Sequence, residues 1–395
     1  MSASDFLSSQ QPTQGLTKLS RNLKEDFWRG VLDAASDTIQ VINDIGSGIN
    51  HIISPILSIP EAIVGHQTVT DLSFLSHDYA IPVPTDQSGA HSPTVSQFLN
   101  ASNSTYTLAG NPEGLTPFLH DGRQLAISDQ FSGMAAKVWQ TADQQVVIAF
   151  QGTSGGDNIF LNPTANIGQI GADIQSASGT ISQAQKDALA FTRFVVHEAG
   201  ERGIDTNNIF VTGHSLGGME ASYVAQQTGL GGIAFESTGL PLTSTTAGTG
   251  TNFANVVTYG DPVASFASDI QGFQPFAPDY NPTNGGDMPH YGHVVTVGAE
   301  ADQNTLASHI AGLWDHTLLG NAIQLAEIAS DFAHFHLPGA VAGDLGVEFS
   351  PISITQDLGG ASHGPVFNAA DDTIAQFITA DTLRPEHQSG ALFPA

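Results

Sequence analysis

Ser215 stands where a serine can become a nucleophile. Residues 208–219 read NIFVTGHSLGGM: an apolar run, then Gly213-His214-Ser215-Leu216-Gly217, then a helical pattern. A serine hydroxyl is a weak nucleophile until a base takes its proton and an acid orients that base. Glycines two positions either side of it permit the sharp strand-to-helix turn that lifts the hydroxyl above a sheet's carboxyl edge, the nucleophile elbow. Attack on a carbonyl creates an oxyanion, which needs two N–H donors. The residue after the serine, Leu216, supplies one. The other is expected from the loop after an earlier strand, and VVIAFQGTSGGD (146–157) offers Thr153, with Gln151 as second choice. A chance glycine-rich βα turn is the competing reading, and it fits this strand, elbow and helix poorly.

In this kind of site the chain order is serine, acid, histidine. The acid should follow the next strands, and NVVTYGDPV puts Asp261 at a strand end, where its side chain can lean toward a histidine. Asp269, Asp279 and Asp287 are rivals, and a plain turn residue before proline is the structural alternative. Six histidines lie downstream: His290, His293, His309, His316, His334 and His336. His290 and His293 border a strand, and His309 and His316 sit in helical pattern. His334 and His336 occur where a helix gives way to Leu-Pro-Gly, a loop position that could reach over the serine, and the residues narrow the choice only to these two. A separate reading makes Asp287, His290 and His293 (DMPHYGH) a zinc site. On a strand that spacing puts the two histidines on opposite faces, so turn and strand histidines are the better account.

These residues need elements to hold them. GMAAKVWQ and QQVVIAFQG read as strands with a turn at Thr141-Ala142-Asp143, and residues 181–203 as a helix with Ala188, Phe191, Phe194 and Val195 on one face. NIFVTG, GGIAFESTG, NFANVVTYG and HVVTVG are further strands. LGGMEASYVAQQTG, LLGNAIQLAEIASDFAHF and a segment near 370–382 are helices. Strands alternating with helices predict an α/β domain with a mostly parallel central sheet and helices on both faces. The expected divisions are an N-terminal helical and loop region (1–130) covering the core, a catalytic core (131–345) and a closing segment with a polar tail (346–395). Residues 27–66 are rich in Ile, Val and Leu, and four of the ten basic residues (Lys18, Arg21, Lys24 and Arg29) sit just before the helical pattern that opens at Val31. The segment could form a membrane-surface or lid element, but a helical pair buried against the core is the preferred reading. Residues 158–178 carry Asp173 as their one charge and directly follow the oxyanion loop, so they are the favoured lid, with 38–64 as a buttress beside the groove.

Composition sets outer bounds. The chain has 395 residues, 40% hydrophobic, enough for a large core. With 38 acidic against 10 basic residues its net charge is −28, which excludes a basic nucleic-acid-binding face and favours cations. There is no cysteine, so disulfides, a thiol nucleophile and thiolate metal sites are excluded. The first residues lack the basic and apolar regions of a cleaved signal, and no run of 18 apolar residues occurs. Acidic, glycine-rich, cysteine-free chains often belong to bacterial proteins exported without such a signal. Secretion is therefore expected, with a cytoplasmic location as the alternative.

IAFQGTSG, NIFVTGHSLGGM, NVVTYGDPVASF and FHLPGAVAGDL, spread over roughly 145–345, together resemble the catalytic domain of type-I-secreted bacterial lipases and polyurethanases, within the class-3-like lipase α/β-hydrolases. The resemblance implies an α/β-hydrolase fold and a serine carboxylester hydrolase, a lipase or phospholipase A1, with a lipid or ester substrate met at a transient lipid surface. It carries the catalytic acid onto Asp261 and the base onto His336, preferring it to His334. That family has calcium-binding glycine-aspartate nonapeptide repeats; here NGGD (284–287) occurs once, with no array. The family's paired lid aspartates correspond to Asp173 and, in place of the other, Gln169. The expectation is therefore that no cofactor is required, calcium being the one candidate. A non-catalytic lipid- or membrane-binding protein on a hydrolase scaffold is the alternative function, and a fluorophosphonate probe, which needs an activated serine, separates the two.

Overall fold

The computed structural model describes residues 77–85, 88–106, 111–129, 132–152, 181–240, 248–270, 288–312, 324, 327–328, 330–350 and 364–385. In chain order the strands are β1 (Leu115–Pro117), β2 (Leu119–His120), β3 (Arg123–Gln124), β4 (Ala126–Ser128), β5 (Ala135–Thr141), β6 (Val146–Phe150), β7 (Ile209–His214), β8 (Gly231–Phe235), β9 (Phe253–Thr258) and β10 (His293–Val297). The α-helices are α1 (Val95–Ser104), α2 (Gln183–Gly200), α3 (Leu216–Thr228), α4 (Glu300–Gly312), α5 (Pro338–Leu345) and α6 (Ile374–Thr382), with a π-helical turn at Phe332–His336 before α5.

β6, β7, β8 and β9 are buried at every position. Continuous apolar runs of this kind belong to strands covered on both faces. β6 to β10 pair in sequence order, all parallel, and β5 joins β6 antiparallel. Alternate side chains then feed two cores. Val146, Ile148 and Phe150 point to the layer of α2 and α3, against Phe191, Val195 and Val224. Val147 and Ala149 point to the other layer, with Phe98 and Leu99 of α1, Val341 and Leu345 of α5, and Ile374 and Phe377 of α6. Each fully buried Phe or Leu contributes about 1.5–3 kcal/mol relative to exposure.

α2 begins where its sequence provides a capping box: Ser182 Oγ accepts from Gln185 N–H at 3.1 Å, and Gln185 Oε1 accepts from Ser182 N–H at 2.8 Å. This satisfies two donors that a helix start otherwise leaves open.

The sheet draws on chain well outside 131–345. β1 and β4 pair antiparallel with the two halves of β5. They lie in 115–128, read from sequence as loops and short helices; strands of three residues are too short to show a period of two. At the other end α6 packs beside α1: Val95 N–H donates to Asp372 O at 2.9 Å and Ile374 N–H to Ser92 Oγ at 2.8 Å. The lines at 130 and 345 therefore do not separate packing units. The segments read as lid and buttress, 158–178 and 38–64, lie outside the described residues, as do Thr153, Gln169, Asp173, Asp279, Asp287 and His316. No described helix is long and apolar enough to cross a membrane.

Candidate active site

The turn from β7 into α3 leaves no room for side chains. A Cβ at Gly213 would run into the carbonyl of Gly217, and one at Gly217 into the carbonyl of Phe150 on the neighbouring strand. A Cβ at Gly218 would stand 2.7 Å from that of Ser237. Between them Ser215 holds φ 59° and ψ −128°, a region an L-residue avoids. Its N–H donates to Phe235 O at 2.9 Å on β8, and its carbonyl accepts from Gly218 N–H at 2.9 Å. Both anchors fix the strained turn, and with it the direction of the hydroxyl.

His336 reaches that hydroxyl. Its Nε2 is 2.9 Å from Ser215 Oγ, and its Nδ1 is 3.0 Å and 3.1 Å from the two Asp261 oxygens. All three side chains are buried. Asp261 follows β9 and is held by Val263 N–H, which donates to its Oδ1 at 2.8 Å. Burial works against its charge, but the charge of His336 and the hydrogen bonds it accepts hold it below its ordinary range. His336 ends the π-helical turn. Leu337 then turns extended (φ −74°, ψ 147°), as the residue before a proline must, and Pro338 starts α5. The histidine thus sits on a wide helical turn packed into the core rather than on a swinging loop.

The other candidates have different partners. His290 Nδ1 meets Asp269 Oδ1 at 2.9 Å, and its Nε2 meets Ser237 O at 2.9 Å. His293 Nε2 meets Asp381 at 2.9 Å and His309 Nδ1 meets Asp331 at 2.6 Å. His334 is exposed and bonds Ser330 O at 2.7 Å. His290 and His293 are therefore tied to separate elements. Among the described residues the one group of His, Asp and Glu ligand atoms close enough to share a cation is Glu236, Asp261 and His336.

Of the residues expected to face an oxyanion, Leu216 opens α3, where the first N–H groups have no acceptor within the helix. Gln151 is excluded, because its N–H donates to Ala135 O at 2.8 Å in the strand pairing. Gly152 N–H donates to Tyr106 Oη at 3.0 Å.

No protein-family model matches the sequence, and no curated protein does. Among solved structures, a triacylglycerol lipase from Penicillium expansum is similar at 14% identity and a TM-score of 0.35, over 56% of this chain and 84% of that one. A Rhizomucor miehei lipase propeptide complex gives 16% and 0.31, over 57% and 72%. An esterase from Pyrobaculum calidifontis gives 12% and 0.22, over 72% and 96%. The overlap is loose, and the reading of the site rests on its own geometry. The fold is that of an α/β-hydrolase. Its mostly parallel sheet, helices on both faces and elbow after β7 carry that assignment.

Three neighbours of the elbow escaped the sequence reading. His214, inside the motif, has Nε2 2.7 Å from His336 O and Nδ1 3.1 Å from Tyr106 Oη. Burial, then the nearby His336, lower its pKa to about 3, so the ring is neutral: Nε2–H donates to the His336 carbonyl and Nδ1 accepts from the tyrosine. Tyr106 thereby joins the loop after β6 to the elbow and, through His214, to the backbone of His336. Burial raises its hydroxyl pKa, so it stays a donor. Nothing in the sequence near Tyr106 advertises this, since 108 residues separate it from His214. Glu236 did leave a signal. It is a charge directly after the apolar run GGIAF in a chain with 12% charged residues.

Proposed function

We propose that the protein is a serine carboxylester hydrolase acting on acyl esters, with lipids as the substrate class and lipase or phospholipase A1 as the activity. The observation that carries this reading is the 2.9 Å contact between Ser215 Oγ and His336 Nε2, with His336 Nδ1 on a buried aspartate. In that arrangement His336 takes the hydroxyl proton as Ser215 attacks the ester carbonyl, and Asp261 stabilises the imidazolium. The oxyanion is met by the Leu216 N–H and, in this reading, by Thr153; such a donor is worth about 3 kcal/mol. Collapse of the intermediate leaves an acyl-serine and releases the alcohol, which receives its proton from His336. Water, deprotonated by the same histidine, then frees the acid and restores Ser215. The resemblance to secreted lipases supports an extracellular role at a lipid surface.

The test is a fluorophosphonate probe, followed by product analysis on a mixed triglyceride and phospholipid panel with Ser215→Ala as blank. Labelling at Ser215 and release of fatty acid by the wild type alone are expected. A protein that takes no label and releases no acid would instead be a lipid binder on this scaffold.

A further inference from the structure

We propose that Glu236 is a positioning residue for the acid of this site: its carboxyl stays protonated and donates a hydrogen bond to Asp261, so that the ordered chain is Glu236, Asp261, His336, Ser215. The inference rests on the hydrolase reading above and adds a fourth member to it.

The placement is specific. β8 ends at Phe235, and Glu236 takes φ 51°, in the left-handed region that a glutamate rarely occupies. Its N–H still donates to Val256 O at 2.9 Å, so strand pairing continues while the backbone turns. The side chain is fully buried, and one of its oxygens accepts from Thr258 Oγ at 2.7 Å. Thr258 N–H lies 3.2 Å from both oxygens. Ligand atoms of Glu236, Asp261 and His336 lie within 4.8 Å of one another, so the two buried carboxyls stand side by side.

Two carboxyls within 4.8 Å of each other, both at 0% exposure, do not both ionise. The proton goes to the one with less to lose. Asp261 faces the imidazole N–H and the Val263 N–H, which favour a carboxylate. Glu236 takes its hydrogen bonds from the neutral N–H and hydroxyl of Thr258, and the imidazole N–H is directed to Asp261 instead. Burial, then the charge of Asp261, hold the Glu236 carboxyl well above its ordinary range, in agreement with that geometry. A neutral acid here does two things. It gives Asp261 a further donor, which fixes the carboxylate plane. It also adds no second negative charge, so the imidazolium formed during attack meets one counter-charge of fixed direction.

Glutamine reproduces the neutral acid: its amide NH₂ can donate to Asp261 while its oxygen accepts from Thr258. Glu236→Gln is expected to keep kcat within about threefold of wild type. Glu236→Ala is expected to lower kcat at least tenfold with KM within twofold, because substrate does not touch this residue. Infrared difference spectra of wild type minus Glu236→Gln at neutral pH should show the carbonyl stretch of one protonated carboxyl, a readout that needs no turnover and holds even if Glu236→Ala does not fold. The inference is overturned if Glu236→Gln is as impaired as Glu236→Ala, if folded Glu236→Ala has wild-type kcat, or if the infrared band is absent. Ser215→Ala is run beside them. Hydrolysis surviving in Ser215→Ala sinks the hydrolase reading itself, whereas a dead Ser215→Ala with an absent band sinks only the role of Glu236.

Discussion

At the residue scale the site is a chain of hydrogen bonds in which each side chain has one job. In the proposed reaction Ser215→Ala removes the attacking oxygen, and its loss in kcat should be on the order of 10⁶-fold, against about 10⁴-fold for Asp261→Asn. The amide still touches His336 but carries no charge for the imidazolium. Steady-state rates on one ester decide the order, and an Asp261→Asn enzyme at wild-type rate would remove aspartate from the mechanism. Tyr106→Phe tests the other side of the elbow. It deletes the acceptor of Gly152 N–H and the donor to His214 Nδ1. Buried polar groups left without partners cost about 1–3 kcal/mol, so denaturant unfolding should show a loss of that size. Activity should fall as well, since both Gly152 after β6 and, through His214, the His336 backbone are tethered there. Unchanged stability and rate would mean that Tyr106 merely fills space.

At the element scale the decisive feature is how closely β6, β7 and the start of α3 approach one another. The carbonyls of Phe150 and Gly217 occupy the space that side chains at Gly217 and Gly213 would need. Gly217→Ala should therefore destabilise by about 1–3 kcal/mol through overpacking, and lower activity by displacing the Leu216 N–H. A melting temperature equal to wild type would show that the turn has slack. The elements also set which histidine meets Ser215. His334 and His336 are two residues apart on one turn, yet one is exposed on Ser330 and the other buried on Ser215. π-helical turns add a residue to the helical repeat and often mark functional positions; this one ends with His336 facing inward, immediately before the proline.

At the scale of the whole molecule, buried titratable groups set how stability depends on pH. His214 titrates near 6.5 when unfolded but is lowered to about 3 in the fold. Below 6.5 the unfolded chain binds the extra proton, so stability falls as pH drops from 6.5 toward 3. Glu220 and Glu236 have the opposite sign: both are raised well above their ordinary 4.5, by burial first. The folded state holds their protons longer than the unfolded one, so stability falls as pH rises above 4.5. Self-repulsion of a −28 chain acts in the same direction. Between 4.5 and 6.5 the two glutamates outweigh the one histidine, so the melting temperature should peak near about pH 4.5 and fall above it. A peak above pH 8 would show that the buried glutamates are ionised in the fold.

The sequence by itself determined the pieces whose signal is local. The elbow was legible because only glycines tolerate its contacts, the inner strands because burial on both faces makes apolar runs, and Asp261 because it follows such a run. The His336 assignment came from resemblance, since periodicity alone stopped at His334 and His336. What only the tertiary structure decided depends on atoms distant in the chain. β1 and β4 join the sheet through pairing with β5, which short strands do not announce. Gln151 loses its N–H to Ala135, and Tyr106 reaches His214 across 108 residues. Glu236 acquires its meaning only when β8 and β9 lie side by side and bring a second buried carboxyl near Asp261. A strand pattern records which faces are buried, but not which neighbour a buried polar group will find there.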